Sequence, residues 1–118
     1  TIHANRIAEG GLPGGAPDRI CLPVAGDDPA HKARAIALAD AIGFDGLDAG
    51  TLAESWRQQP GTPVYCTHVP IGPARVALAE ARIEALAQNR EAALQRAREF
   101  TRRAREAKGP KVGDWPLA

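Results

Sequence analysis

The chain has no methionine and few aromatic residues: two Trp, two Phe and one Tyr among 118 residues. A core built on large rings is excluded, so Ala, Ile, Leu and Val must fill it. Only two cysteines occur, Cys21 and Cys66, with no C-x-x-C spacing. That argues against a disulfide framework and points to reduced thiols in a cytoplasmic protein. No apolar run approaches the roughly 20 residues of a membrane-spanning helix, and no basic-then-apolar signal peptide opens the chain. Neither sign of charge dominates: the net charge is +1, which excludes a global pull toward nucleic acid or anionic lipid. The missing methionine, together with the opening "TIHANRIAEGG", reads as the middle of a domain. It suggests a piece of a longer reading frame.

What is present has an α/β rhythm. Ile2 to Glu9 has helical spacing and stops at Gly10-Gly11. "RICLPVAG", Arg19 to Gly26, carries the near-continuous apolar run Ile20, Cys21, Leu22 and Val24. Such a run suits a strand covered on both faces, although Pro23 prefers an edge. "DDPAHKARAIALADAIG" has both ends of a helix marked: Asp28 as N-cap, Pro29 at the first position and Gly43 at the exit. Its apolar stripe is expected at Ala35, Leu38, Ala39 and Ile42, with Ile36 beside it and Lys32, Arg34 and Asp40 on the polar side. "FDGLDAG", Phe44 to Gly50, follows as a second strand. Strand, helix and strand make a βαβ unit with a right-handed crossover.

Thr51 and Glu54 have capping-box spacing and start a short helix that Pro60-Gly61 ends. "TPVYCTHVPIGP" reads as extended and broken by prolines. From Pro73 to Lys108 the chain reads as one long helix or two shorter ones, with Gln88-Asn89 as the break and Asn89 as a second N-cap. A face of Val76, Ile83, Leu86, Leu94 and Phe100 is expected to pack on protein, either the sheet or a second copy. These helices hold nine Arg or Lys against five Glu. A solvated face with Glu–Arg pairs explains that better than nucleic-acid binding. The boundaries expected are residues 1–68 for the α/β part, 69–108 for the helical extension and 109–118 for a loose tail.

The run "DRICLPVAGDDPAHKARAIALADAIGFDGLDAGTLAESWRQQPGTPVYCT" resembles the NADP oxidoreductases that use the deazaflavin coenzyme F-420, and their relatives. The shared features, in order, are "V-x-G-D-D" at Val24 to Asp28, a helix, "D-A-G" at Asp48 to Gly50, and "LAESWRQQPGTP" at Leu52 to Pro63. The resemblance implies the C-terminal part of a Rossmann-like NAD(P)-binding domain. It implies hydride transfer between NADPH and a deazaflavin or similar acceptor, with small-molecule coenzymes as partners. The glycine fingerprint for dinucleotide phosphates, G-x-G-x-x-G, is missing from this chain and is expected upstream, so the chain alone should bind NADPH weakly or not at all.

The cofactor-binding candidates are Trp56, Arg57 and Gln58. Trp56 can stack on a coenzyme ring or anchor the packing. Arg57 can hold a phosphate or carboxylate, or cap a carbonyl. Gln58 and Gln59 suit backbone-bonding loop roles. At 3.6 residues per turn, Trp56 and Arg57 should face different surroundings. No residue is assigned to catalysis, because hydride transfer is the coenzymes' own chemistry, and capping explains Asp28 better than acid–base work. Cys66-x-His68 with Cys21, His3 and His31 matches no standard metal spacing. A reading from another class is a non-enzymatic α/β interaction module with a helical arm.

Overall fold

The computed structural model describes residues 2–106. The elements run α1 Ala4–Glu9, β1 Cys21–Val24, α2 Pro29–Ala41, β2 Asp45–Asp48, a 3-10 helix Leu52–Gln58, α3 Ile71–Glu80 and α4 Leu86–Glu106. The expected tail at 109–118 lies outside the described residues. β1 and β2 pair in parallel, with Cys21 opposite Asp45 and Val24 opposite Asp48. The architecture is mixed α/β: a two-stranded parallel sheet joined by a crossover helix.

Alternation along the strands builds a core on each face. On one face Ile20, Phe44 and Ala39 are buried, with Ile2 and Leu22 against them. On the other, Cys21, Leu47, Val64 and Ala74 form a second cluster with Val69, Ile71, Ala77 and Leu78 around it. Thus α2 covers one face of the sheet and α3 the other. The Cys21 N–H donates outward to the Val69 carbonyl at 2.9 Å. Pro23, two residues on, therefore turns its missing donor away from β2, where the sheet loses nothing.

The stripe of α2 matches the expected one at Ile36 and Ala39 but not at Leu38 and Ile42. Leu38 and Ile42 are 63% and 47% exposed, while Ala39 is buried. The inward face is Lys32, Ile36 and Ala39, also at helical spacing. Gly46 explains this rotation: a β-carbon there would lie 2.7 Å from Ile36 Cγ2 and 2.8 Å from Ile36 Cα. The helix backbone approaches the sheet where β2 has no side chain. Lys32 belongs to this side because its ammonium reaches Asp48 and the Gly50 carbonyl.

Two further expectations are corrected. Residues 60–66 form turns rather than an extended stretch, closed by Thr62 N–H to Gln59 O, Tyr65 N–H to Thr62 O and Thr67 N–H to Val64 O. The Thr62 and Thr67 hydroxyls donate to the same acceptors, which is local competition with a strand. The helical break falls at 81–85, not at Gln88-Asn89. Ala81, 2% exposed, tucks into the core there. Asn89 caps nothing; its side-chain amide donates to the Gly61 carbonyl at 3.0 Å, and Arg90 Nε donates to Pro60 O, docking the start of α4 on the turn. The break also divides the expected apolar face. Val76, Ile83 and Leu94 are 56%, 55% and 45% exposed, because α3 presents Ala74, Ala77 and Leu78 to the sheet instead. On α4, Glu99–Arg103 and Arg102–Glu106 ion pairs recur at i,i+4, and the helix is a largely solvated one.

His3, at the foot of α1, meets His68 edge to face, with ring centroids 5.4 Å apart. The Nε2 atoms of both rings are buried without a partner. Burial, then the charges of Arg6 and His3, holds the His68 imidazole below its ordinary 6.5. The unfolded chain therefore takes up this proton first, so stability is full above about pH 6.5 and falls as the pH drops toward the folded value. His68→Gln should flatten that part of the melting-temperature profile between pH 7.5 and 5.5. An identical slope in variant and wild type would show that this histidine is not responsible.

Candidate functional site

The carboxyl ends of β1 and β2 are locked together by a small polar network. Asp27 and Asp28 are adjacent in sequence, yet each serves a different helix. Asp28 Oδ1 accepts the Ala30 and His31 N–H groups at 2.8 and 3.0 Å, capping α2. Asp27 Oδ1 accepts the Leu52 N–H at 3.0 Å, at the start of the 3-10 helix. The Gly26 N–H donates to Gly50 O, and the Ala49 N–H to Val24 O. Lys32 Nζ donates to Asp48 Oδ1 at 2.8 Å and to Gly50 O at 3.2 Å, and the Gly50 N–H also donates to Asp48 Oδ1 at 2.9 Å. These donors, Lys32 first, hold the Asp48 carboxyl below the usual carboxylate range.

The expected Thr51–Glu54 capping box is present. Glu54 Oε2 accepts the Thr51 N–H at 3.0 Å and its hydroxyl at 3.3 Å. These bonds depress the Glu54 pKa, with the Arg57 charge adding to them. The fit is tight: Gly50 has φ +90°, and a β-carbon on it would lie 2.2 Å from Glu54 Oε2, so only glycine suits this position.

A cavity of about 430 Å³ opens at this edge, lined by Leu47, Asp48, Ala49, Gly50, Glu54, Arg57, Arg75, Leu78 and Ala79. It lies beyond the carboxyl end of β2, where open parallel sheets bind ligands. A second hollow of about 450 Å³ lies at the end of β1, between Val24–Asp28 and His31, Lys32, Ala35 and Leu52.

Of the sequence-chosen residues, Arg57 lines the first cavity; Trp56 and Gln58 do not. Trp56 is half-buried. The Arg57 guanidinium sits 4.6 Å from its ring centroid, and Arg57 Nη1 donates to Leu78 O at the end of α3, at 3.3 Å. The two residues therefore share one environment. The 3-10 winding, at about 3.0 residues per turn, sets neighbouring residues further apart around the axis than an α-helix does, but the arginine side chain is long enough to fold back over the indole. Gln58 ends the 3-10 helix. Sequence reasoning missed Lys32 and Arg75. The signal for Arg75 is its spacing: residues 75, 78 and 79 fall on one stripe of α3, and all three line the cavity.

Cys21 is not an activated nucleophile. Burial, with Asp45 adding and Arg75 opposing, pushes the Cys21 thiol up to about 11. Cys66, half-buried and at φ 53°, raises the pKa of its neighbour Tyr65. Among the described residues, no three His, Cys, Asp or Glu side chains group to hold a metal ion, and no helix is long and apolar enough to cross a membrane.

The Escherichia coli (strain K12) protein YjhV, whose name carries no activity, is 49% identical to this chain over 55 residues. The match covers 47% of this chain and 40% of that protein, so the chain spans less than half the length of its curated relative. No family model matches the chain, and no solved structure does.

Proposed function

We propose that this chain is part of an NADP(H)-dependent oxidoreductase of Rossmann-like fold, passing hydride between NADPH and a deazaflavin such as coenzyme F-420. The observation that carries this reading is the cavity beyond the carboxyl end of β2, with Arg57 in its wall. The resemblance through "AGDD", "DAG" and "SWRQQPGTP" selects the coenzymes.

The residues fit the two coenzymes unequally. A dinucleotide pyrophosphate needs free N–H groups at a helix N-terminus. At α2 those of Ala30 and His31 are taken by Asp28, and the Asp27 carboxylate stands beside them. The start of α2 therefore does not suit the phosphates of NADPH. The Arg57 cavity does suit an anionic group of either coenzyme: Arg57 would hold it, with Trp56 fixing the guanidinium from behind. The coenzymes supply the hydride chemistry, and the chain supplies position and a dry wall.

The test is a fluorescence titration of the 118-residue chain with coenzyme F-420, set beside calorimetry with NADPH. Deazaflavin binding is expected to weaken by about 1.5–3 kcal/mol in Arg57→Ala, the loss of a charged hydrogen bond, with the melting temperature little changed. NADPH is expected to bind weakly or not at all. Deazaflavin binding indifferent to Arg57→Ala, or absent altogether, would sink the reading.

A further inference from the structure

We propose that Arg57 and Arg75 together form an oxyanion clamp, a site for a carboxylate or phosphate group carried on a small apolar body. Two elements place an arginine each in the wall of one cavity: Arg57 from the 3-10 helix and Arg75 from α3. Neither has a carboxylate partner within ion-pair distance among the described residues. The Arg75 side chain makes no hydrogen bond there, and the Arg57 guanidinium uses one N–H, on Leu78 O. Each guanidinium carries five N–H donors in a planar fork that matches a two-oxygen anion.

The acidic residues in the same wall make no ion pair with these arginines, although the Arg57 charge helps to lower the Glu54 pKa. Asp48 is committed to Lys32 and the Gly50 N–H. Glu54 is committed to Thr51. Both remain anionic through those bonds, and their presence sets a requirement. The anion must meet the arginine side of the cavity, with the rest of the ligand over Leu47, Ala49, Leu78 and Ala79. Those four side chains form an apolar floor. At about 430 Å³ the space falls within the range of small-molecule sites. Stacking of Arg57 on Trp56 holds one arm of the clamp in place before any ligand arrives.

The clamp concerns the cavity discussed above but does not rest on hydride transfer, and the probes separate the two ideas. Amide and arginine Nε–H resonances of the 118-residue chain would be followed during titration with phenyl phosphate and with benzoate, which share a ring and differ in the oxyanion. Benzyl alcohol serves as the uncharged control. Saturable shifts at Gly50, Arg57, Arg75 and Ala79 are expected with at least one acid and not with the alcohol. The tighter acid identifies the oxyanion. Arg57→Gln and Arg75→Gln should each weaken binding about tenfold or more, whereas Arg98→Gln, on the solvated α4, should leave it unchanged. Arg75 is exposed, so its removal should leave the fold intact. Arg75→Lys, keeping the charge but losing the fork, is the second variant and should also weaken binding. No saturable shift with either acid, or unaltered affinity in the Arg75 variants, overturns the clamp. Binding of the acids without deazaflavin binding keeps the clamp and removes the hydride-transfer reading.

Discussion

Replacing Arg19 with methionine lowers the unfolding free energy by about 3–5 kcal/mol, the range for breaking a buried charged arrangement from one side. Arg19 is 4% exposed, an unusual place for a guanidinium. Its Nη1 donates to Asp40 Oδ1 at 2.7 Å, and its Nη2 donates to the carbonyls of Asp40 at 2.8 Å and Phe44 at 3.0 Å. Asp45 Oδ1 lies 3.4 Å away. The Asp40 side chain is 70% exposed, so water can replace the arginine there. The Phe44 carbonyl has no such recourse, since Phe44 is fully buried, and an unmet buried acceptor costs about 1–3 kcal/mol. The arginine also neutralises the negative end of α2. Asp40→Asn should therefore cost less than about 1 kcal/mol, as exposed ion pairs do. Urea unfolding followed by circular dichroism measures both. A methionine variant within 1 kcal/mol of wild type would show that the carbonyls find other partners.

Arg19 marks where the sequence stops being legible. It reads as the first residue of a strand, because its neighbours Ile20 to Val24 are apolar and the period-two logic extends to it. Its partners lie 21 and 25 residues away, and no local pattern encodes a bond of that span. The βαβ unit was readable because its signals are local: the Asp28 cap, Pro29, the Gly43 exit and the short apolar runs. The rotation of α2 was not readable. It is set by the absence of a side chain at Gly46 and by the reach of Lys32 across to Asp48, neither of which enters a count of apolar positions. The same limit hid the helical break at 81–85, where the chain carries no proline or glycine and yields to the burial of Ala81.

The candidate site divides in the same way. Arg57 was marked by an unusual local composition and does line the cavity. Its true surroundings, the indole of Trp56 and the carbonyl of Leu78, depend on how its long side chain folds back and on the packing of α3, neither of which the Thr51–Glu54 spacing encodes. Arg75 was counted among the basic residues of a solvated face. Only the packing of α3 against β1 brings it to the carboxyl end of the sheet. A charge whose role depends on which way a helix is turned needs the fold before it can be assigned.

Phe44→Ala is the second large effect expected, a loss of about 3–5 kcal/mol. The chain has two phenylalanines, and Phe44 is the largest fully buried side chain among the described residues, with 0% exposure. It lies immediately before β2 and packs with Ile20 and Ala39, so it joins β1, α2 and β2 at one point. Its backbone N–H also bonds to Ala39 O at 2.9 Å, fixing the exit of α2 against the strand. The cavity left behind would be lined by small or tightly held groups, since Ala39 cannot expand and Gly46 keeps the α2 backbone close to the sheet. Collapse is therefore restricted, which places the cost toward the upper part of that range. Leu38→Ala provides the contrast. It deletes a comparable aliphatic volume from a residue 63% exposed, and a change within about 0.5 kcal/mol is expected. Denaturant midpoints of the two variants decide the matter: equal losses at positions 38 and 44 would mean that α2 turns its Leu38–Ile42 side to the sheet, as the sequence periodicity alone implies, and that Phe44 does not hold the core.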